Sequence, residues 1–460
     1  MKLADLYAEY ICQTKIQNIP KDVLEEKKKN ILDTLGVMVA GSKSKGCKSV
    51  VEEIIQWGGR NDAKIVQYGV KVPIHNAALA NCMMARALDF DDVFTDSIVH
   101  INASNVPVSF VVADYIGGIS GKEILESTTI GADVAARMAL ANKIPSNISG
   151  FSFSFQFGSI IAAIVSSKLL KLDEKQTKNA LGIAYSQLAG NNQCYVDGAM
   201  TIRLQQGLSA AAGVMASIFA KNGVTGAHDI FDGRFGYFNV FAGGNYDRDL
   251  LKKDLGREFY GAKHTIKPYP CCTHLHGAID AILSMRGELK GLLNEIEEIN
   301  IGVNQSAYNI CCIPEDEKQY PKKLVDLQFS YNFVVAAALI EGQIGIDSFS
   351  EIYLHRNEIL EFGKNKVKTY VNSKGALDNR SVTDTEVTVK LKNGLKLEKY
   401  IAYPFGSKQN PMDLAMCTEK FKKCLEKGII QYSDDKKNEI VETLLKLEHL
   451  DNVSNIYQYF

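Results

Sequence analysis

Residues 20–41 of the chain, PKDVLEEKKKNILDTLGVMVAG, decide the fold class. Apolar side chains recur in this stretch at the spacing of one helix face, at Leu24, Ile31, Leu35 and Met38. The opening proline favours a helix start, and the closing glycine favours a helix end. The stretch therefore predicts an amphipathic helix that begins after the proline and ends near the final glycine.

Helical patterns continue through about the first 260 residues. Gly121 opens an amphipathic stripe that continues to Met138. Asp173 is placed to cap a helix that ends near Gly190. The alanine-rich segment 210–212 suits close packing of helices against one another. These patterns together predict a large helical bundle.

The pattern changes after about residue 262. Ile299, Ile301 and Val303 alternate with polar neighbours, as expected of a half-buried strand. A second alternation, over residues 387–397, is interrupted by Asn-Gly at 393–394, which favours a hairpin because both residues tolerate φ > 0. Helical patterns lie between these strands and return from about residue 411.

We therefore predict a mainly α protein with two parts. One is a large all-helical domain formed by both chain ends, and the other is a smaller α/β (α+β) domain inserted into it. The predicted limits are 1–262 for the N-terminal part of the helical domain, 263–405 for the inserted domain and 406–460 for the helical return. A length of 460 residues is ample for this division.

The bulk composition excludes several classes of partner. The 52 Lys and Arg residues against 53 Asp and Glu residues give a net charge of −1, whereas phosphate binding normally needs an excess of cations. No apolar stretch approaches the roughly 20 residues of a membrane span, and the N-terminus lacks the pattern of a secretory signal. The ten cysteines include no CxxC pair, so we expect reduced thiols in a cytoplasmic protein and neither nucleic acid nor membrane as a partner.

The densest polar segment is LDFDDVFTD at residues 88–96, followed by His100. Carboxylates so close together repel one another and normally need a cation, a proton or solvent. One interpretation is a loop, after an apolar helix over residues 78–88, that brings aspartate and histidine to a pocket. The alternatives are an exposed acidic loop or helix caps made by Asp91 and Asp96, with a structural role for the histidine.

A second reactive segment is KPYPCCTHLH at residues 267–276, which predicts a rigid loop opening a helix. A zinc site, a cysteine nucleophile and inert packing of the thiols are alternatives here, although the Cys and His spacing is not a standard zinc spacing. Lys267 can also hold a substrate carboxylate as a point charge. Arg203, in a separate segment, is either a surface or bridging residue or a bidentate ligand for an anionic group.

The chain contains no GxGxxG, P-loop or GxSxG motif. Most nucleotide-dependent reactions are therefore excluded. We expect no cofactor and no metal.

In their order along the chain, several segments resemble the MmgE/PrpD family, which includes 2-methylcitrate dehydratase, cis-aconitate decarboxylase and iminodisuccinate epimerase. Residues 76–92 are similar to the family's "AA…N…ALDFDD" pattern, and residues 267–276 to its "KxYPCC…TH" pattern. Further matches lie at residues 31–41, 106–107, 118–121, 131–137, 329–331 and 404–412, so that the resemblance covers essentially the whole chain.

The resemblance implies an all-helical domain made from both chain ends and an inserted α/β lid domain. It also implies a homodimer, no cofactor and an active site in the cleft between the domains. Of the family's active-site residues, the matching motifs carry over Asp89, His100 and Lys267.

The chain also departs from the family at polar positions. Ser152 stands where the family often has histidine, Ile202 where many members have lysine, and Val93 where threonine usually follows the aspartate pair. These departures indicate a less polar pocket and a substrate with fewer charges than methylcitrate.

The family's reactions form or protonate a carbanion next to a carboxylate, which needs a base or acid and cations. The resemblance therefore gives His100 the proton transfer, Lys267 charge stabilisation or a second base, and Asp89 the orientation of His100 or a proton transfer of its own. Arg203 would clamp a distal carboxylate. The remaining candidate substrate-binding residues are Tyr269, His274 and His276.

We thus expect a cofactor-independent lyase or isomerase that acts on a small di- or tricarboxylic acid. The reaction would be dehydration, decarboxylation or epimerisation. The alternative is a divergent, non-catalytic homologue that binds a small carboxylate or a protein partner.

Overall fold

The computed structural model describes residues 2–372 and 384–460, which form two compact units. The first unit comprises Met1–Asn191, Thr201–Ile266 and Asp413–Phe460, and the second comprises Asn192–Met200 and Lys267–Met412. The sequence-based limits left residues 192–200 in the helical part, whereas the structure groups them with the second unit.

Two lysines hold residues 192–200 in the second unit. The Nζ of Lys318 donates to the carbonyl oxygen of Tyr195 at 3.2 Å, and the Nζ of Lys323 donates to that of Asp197 at 2.8 Å. The ring of Tyr195 also meets that of Phe329 edge-on, with centroids 5.3 Å apart. These partners are more than 120 residues away in the chain, so no local sequence pattern predicts the contacts.

The first unit is mainly helical, as the helical spacing of its apolar residues predicts. The helix Lys21–Gly41 is confirmed, and most of its residues are buried. The C-terminal helix Leu414–Lys427 packs against it. The other helices of this unit are Leu3–Gln13, Cys47–Trp57, Ile74–Arg86, Asn102–Ile116, Gly121–Ala141, Ser146–Ser149, Phe153–Leu169, Glu174–Tyr185, Thr201–Lys221, Tyr237–Phe241, Asp434–Leu445 and Ser454–Tyr457.

Small residues let the central helices of this unit approach closely. The helix Thr201–Lys221 packs on Ile74–Arg86 and on Phe153–Leu169. A Cβ on Gly207 would lie 2.3 Å from the carbonyl oxygen of Leu79, and one on Gly213 would lie 2.2 Å from that of Ser159. No larger side chain fits at either position without a backbone shift.

The prediction that this part of the chain is all-helical is wrong in one place. Ala63–Ile65 and Val70–Val72 form a two-stranded antiparallel sheet, with Gly69 in a left-handed conformation in the connecting turn. Strands of three residues are too short to show an alternating pattern, so the sequence did not indicate them.

The second unit contains a four-stranded mixed sheet. Ile296–Val303 pairs in parallel with Val367–Val371 and antiparallel with Thr385–Leu391, which in turn pairs antiparallel with Lys396–Ile401. The helices of this unit are Gln193–Val196, His276–Leu289, Gln305–Cys311, Glu315–Gln319, Leu324–Leu327, Tyr331–Glu341 and Asn357–Lys366.

The predicted hairpin is confirmed, but its turn differs from the expected two-residue turn. Gly394 has φ of +88°, whereas Asn393 keeps a negative φ. The amide of Leu391 donates to the carbonyl oxygen of Leu395 at 2.8 Å, so the loop comprises the three residues 392–394. A three-residue loop of this kind needs only one left-handed residue, and glycine supplies it.

Among the described residues, no helix is both long enough and apolar enough to cross a membrane. All ten cysteines lie in described parts of the chain and are present as thiols. The whole is thus mainly α, with a smaller α/β portion.

Candidate active site

The acidic segment of the first unit folds into a buried cluster of Arg86, Asp89, Asp91 and His100, named here the His100 cluster. Arg86 ends the helix Ile74–Arg86, and His100 lies two residues before the helix Asn102–Ile116. Asp89 has φ of +51°, a left-handed conformation that aspartate tolerates better than most residues. This turn allows the aspartate to pair with Arg86, three residues earlier.

His100 and Asp91 form the central pair of the cluster. The Nδ1 of His100 lies 2.7 Å from Oδ2 of Asp91, and Nη1 of Arg86 lies 3.5 Å from Oδ1 of the same carboxylate. Arg86 also pairs with Asp89. Each carboxylate therefore has a cationic or polar partner, which burial requires.

The alternatives of an exposed acidic loop or of helix caps do not hold for most of this segment. Asp91 and Asp92 are both 0% exposed, and Asp89 is also buried. Asp96 alone of the four is exposed. The three buried carboxylates are thus held by partners inside the protein rather than by solvent.

The carboxylate that pairs with Nδ1 of His100 is that of Asp91, and Asp89 pairs with Arg86. A carboxylate on Nδ1 holds the proton there and leaves Nε2 as the proton-transferring nitrogen. The His100 cluster therefore has an arrangement typical of acid–base pairs, with Asp91 at the position of an orienting carboxylate.

Arg203 lies in the first turn of the helix Thr201–Lys221 and is only 4% exposed. Its Nη1 donates to the carbonyl oxygen of Lys45 at 3.4 Å, while its Nε has no hydrogen-bond partner among the described residues. Burial lowers the pKa of this guanidinium. The charge of Arg86 lowers the pKa further, and the charge of Asp89 raises it. A buried donor without a partner is costly, so an anionic ligand here would be stabilising.

Asp89, Asp91 and His100 also place potential ligand atoms within 4.8 Å of one another. The two carboxylates are already compensated by Arg86, whose guanidinium contacts both. A metal ion would have to compete with this built-in cation, so the donor set favours acid–base chemistry over metal binding.

In the second unit, Lys267 begins the longer of the two chain segments and is only 1% exposed. His274 lies near it: burial, assisted by the Lys267 charge, lowers the pKa of His274 to about 4. The Nε2 of His274 faces Oγ of Ser306 at 3.5 Å. At neutral pH this unit therefore pairs a buried lysine with a neutral imidazole.

The other two predicted binding residues have partners inside the second unit. The hydroxyl of Tyr269 donates to Oδ1 of Asp280 at 2.8 Å, and Nε2 of His276 lies 3.3 Å from the carbonyl oxygen of Cys271. Burial raises the pKa of Tyr269 and of Asp280. These contacts fix the loop that follows Lys267.

The three residues that depart from the expected family pattern are all buried. Ser152 immediately precedes the helix Phe153–Leu169, and Ile202 lies beside Arg203 in its helix. Val93 exchanges two backbone hydrogen bonds with Thr265, at 3.0 and 2.9 Å. These positions supply no charge to the first unit.

Several site residues were not found from sequence. Arg86 stands three residues before Asp89, a spacing that favours an ion pair and could have indicated it. His264 and Asn102, which bind Asp92, had no such local signal, because His264 lies 172 residues beyond its partner in the chain.

A buried histidine–carboxylate pair with guanidinium groups nearby is an arrangement typical of enzymes that use acid–base catalysis. The chain belongs to the MmgE/PrpD family. Residues 6–249 match the family's N-terminal domain, and residues 269–447 match its C-terminal domain.

Curated relatives cover almost the whole chain. Cis-aconitate decarboxylase of Aspergillus terreus is 24% identical over 462 residues, which cover 96% of this chain and 92% of the relative. Cis-aconitate decarboxylase of Homo sapiens is 24% identical over 476 residues, which cover 98% and 93%. Decarboxylases are lyases, and the chain is accordingly an enzyme of a lyase family.

Proposed function

We propose that this protein is a cofactor-independent lyase that acts next to a carboxylate of a small di- or tricarboxylic acid, with decarboxylation as the first reaction to test. The observation that carries the proposal is the buried pair of His100 and Asp91, with Nδ1 2.7 Å from the carboxylate. The names of the relatives favour decarboxylation over dehydration or epimerisation.

In such a decarboxylation the bond between carbon and the leaving carboxylate breaks, and the electron pair remains on carbon. His100, protonated at Nε2, delivers a proton to that carbon, and Asp91 stabilises the ring while it is charged. Lys267 and Arg203 would hold carboxylates of the substrate and the charge that develops on them. Carbon dioxide leaves, and the proton replaces it.

The supply of cations supports a substrate of limited charge. Arg86 is engaged with two aspartates, and Ile202 contributes none. Arg203 retains an unused donor in the first unit, and we propose that Lys267 is the second cation. We therefore expect the dicarboxylates to be better substrates than the tricarboxylates 2-methylcitrate and cis-aconitate in the test below.

The test follows proton incorporation directly. Purified protein is incubated in D₂O with cis-aconitate, 2-methylcitrate and unsaturated dicarboxylates, and NMR records product and exchange at the carbon next to the carboxylate. We expect turnover of at least one acid and a loss of about 10²-fold or more in the His100→Ala and Lys267→Ala variants. Undiminished exchange in both variants would refute these roles, and His449→Ala, at an exposed histidine, is the matched control.

The second candidate is a non-catalytic homologue that binds a small carboxylate or a protein partner. Ser152, Ile202 and Val93, at usually polar positions, favour it. Calorimetric binding of a carboxylate without any turnover or exchange would support this alternative over the lyase.

We also propose that the protein is a cytoplasmic homodimer. The helix Thr201–Lys221 presents Leu208 and Phe219 to solvent at 51% and 48% exposure, and it contains no acidic residue. An apolar face without charge suits a second copy of itself, because an isologous contact buries the same surface patch on both subunits.

A further inference from the structure

Asp92, which directly follows Asp91 in the chain, has its own partners in the first unit. Its Oδ2 accepts from Nδ2 of Asn102 at 2.6 Å and lies 3.1 Å from Nδ1 of His264. The side chains of Asp92 and His264 have no exposed surface. Asp92, Asn102 and His264 are named here the Asp92 clamp.

Both ring nitrogens of His264 have polar partners in the first unit. Its Nε2 lies 3.1 Å from the carbonyl oxygen of Gly261, which can only accept. Its Nδ1 lies 3.1 Å from Oδ2 of Asp92 and 3.4 Å from Nδ2 of Asn102. The contact between Nδ1 and Asp92 therefore links the segment of His264 to that of Asp92.

The surroundings hold both ends of the clamp. Asn102 accepts at Oδ1 from Nδ2 of Asn105 at 3.0 Å and from Nζ of Lys27 at 3.3 Å. On the other side, Gly261 is packed so closely that a Cβ on it would lie 2.2 Å from the carbonyl oxygen of Ala132. A shift of Asn102 would disturb the helix Asn102–Ile116, and a shift of Gly261 would disturb the helix Gly121–Ala141.

Backbone pairing continues from the clamp. Val93 and Thr265 exchange two hydrogen bonds, and their neighbours add a contact between Oγ1 of Thr95 and Oγ1 of Thr265 at 3.2 Å. The chain on both sides of the contact, residues 92–95 and 264–265, is thereby fixed. Asp91 adjoins this fixed segment directly.

We infer that His264 is a positioning residue: by holding Asp92, it fixes the backbone of Asp91 and so keeps the Asp91 carboxylate against Nδ1 of His100. The two consecutive aspartates thus have different roles. Asp91 orients the histidine that moves the proton, and Asp92 anchors the segment. The rate measurements below rest on the proposed function.

Conservative substitutions separate the two nitrogens of His264. Asparagine places its amide nitrogen near the Nδ1 position, so His264→Asn keeps a donor for Asp92. Glutamine reaches the Nε2 position and keeps only the contact with Gly261. We expect His264→Gln to lower kcat by about 10–100-fold with little change in KM, and His264→Asn to recover most of that loss. Equal losses in the two variants would refute the assignment.

A double-substitution cycle separates positioning from general stability. In an Asp91→Asn background the orienting carboxylate is already lost, so His264→Gln should lower kcat by less than about threefold further. A merely structural role would give the same loss in both backgrounds, and that result would overturn the inference.

An activity-independent measurement distinguishes failure of the inference from failure of the proposed function. Hydrogen exchange should be about tenfold faster at the amides of Val93 and Thr265 in His264→Gln, and unchanged in His449→Gln at an exposed histidine. If no substrate is found but exchange rises, only the proposed function has failed. If exchange does not rise, the clamp itself is refuted.

Discussion

At the residue scale, the division of labour between the aspartates predicts unequal effects of substitution. Asp91→Asn removes the carboxylate that holds the Nδ1 proton of His100, and we expect kcat to fall by about 10²-fold or more. Steady-state rates on the substrate identified by NMR measure this loss. Asp96→Asn, at the exposed member of the same segment, is the control and should retain wild-type rates.

Lys27 gives a second prediction at this scale, for stability against pH. Burial lowers the pKa of Lys27 from 10.5 to about 8, and the charge of Asp92 offsets part of that effect. Between these values the unfolded chain binds one more proton than the native protein, so the free energy of unfolding contributed by this group rises with pH. The total rise is about 3 kcal/mol, and below about pH 8 the slope vanishes.

Urea unfolding between about pH 7.5 and pH 10.5 measures this contribution, and Lys27→Met should remove it. Lys21→Met, at an exposed position of the same helix, should keep the wild-type slope. The contribution of Lys27 is the difference in slope between the wild type and Lys27→Met, and equal slopes in the two would contradict it.

At the scale of elements, two helical glycines have opposite roles. A Cβ on Gly207 would meet the backbone of Leu79, whereas one on Gly287 would meet nothing within 4 Å. We expect Gly207→Ala to lower the free energy of unfolding by about 1–3 kcal/mol, since a helix backbone cannot easily yield. Gly287→Ala should raise it by about 0.5–1 kcal/mol by favouring the helix. Denaturant unfolding of both variants measures these changes in the free energy of unfolding. Stabilisation by Gly207→Ala would contradict the packing argument.

Elements whose signal is local were predictable from sequence. Asp173 caps its helix by accepting from the amide of Gln176, as expected, but the helix ends at Tyr185, short of Gly190. The hairpin was recognised, while its turn was not, because the choice between a two- and a three-residue loop depends on which strand residues pair.

The site was predictable only in part, because only some of its contacts are local in the chain. Asp89 and His100 stood out because polar residues cluster in sequence there. The pairing of His100 with Asp91 and the contact of Asp92 with His264 both depend on tertiary folding. No spacing in the chain encodes contacts of that kind.

At the scale of the whole molecule, the exposed face of the helix Thr201–Lys221 predicts the assembly state. If a second copy covers it, a carboxylate placed there would be buried without a partner and would oppose association by several kcal/mol. The chain has a mass of 50.7 kDa, and light scattering should give twice that mass for the wild type. It should give a single chain for Leu208→Glu and Phe219→Glu. Ile352→Glu, at a residue 69% exposed in the second unit, should remain dimeric, and a dimer that survives both substitutions would place the interface elsewhere.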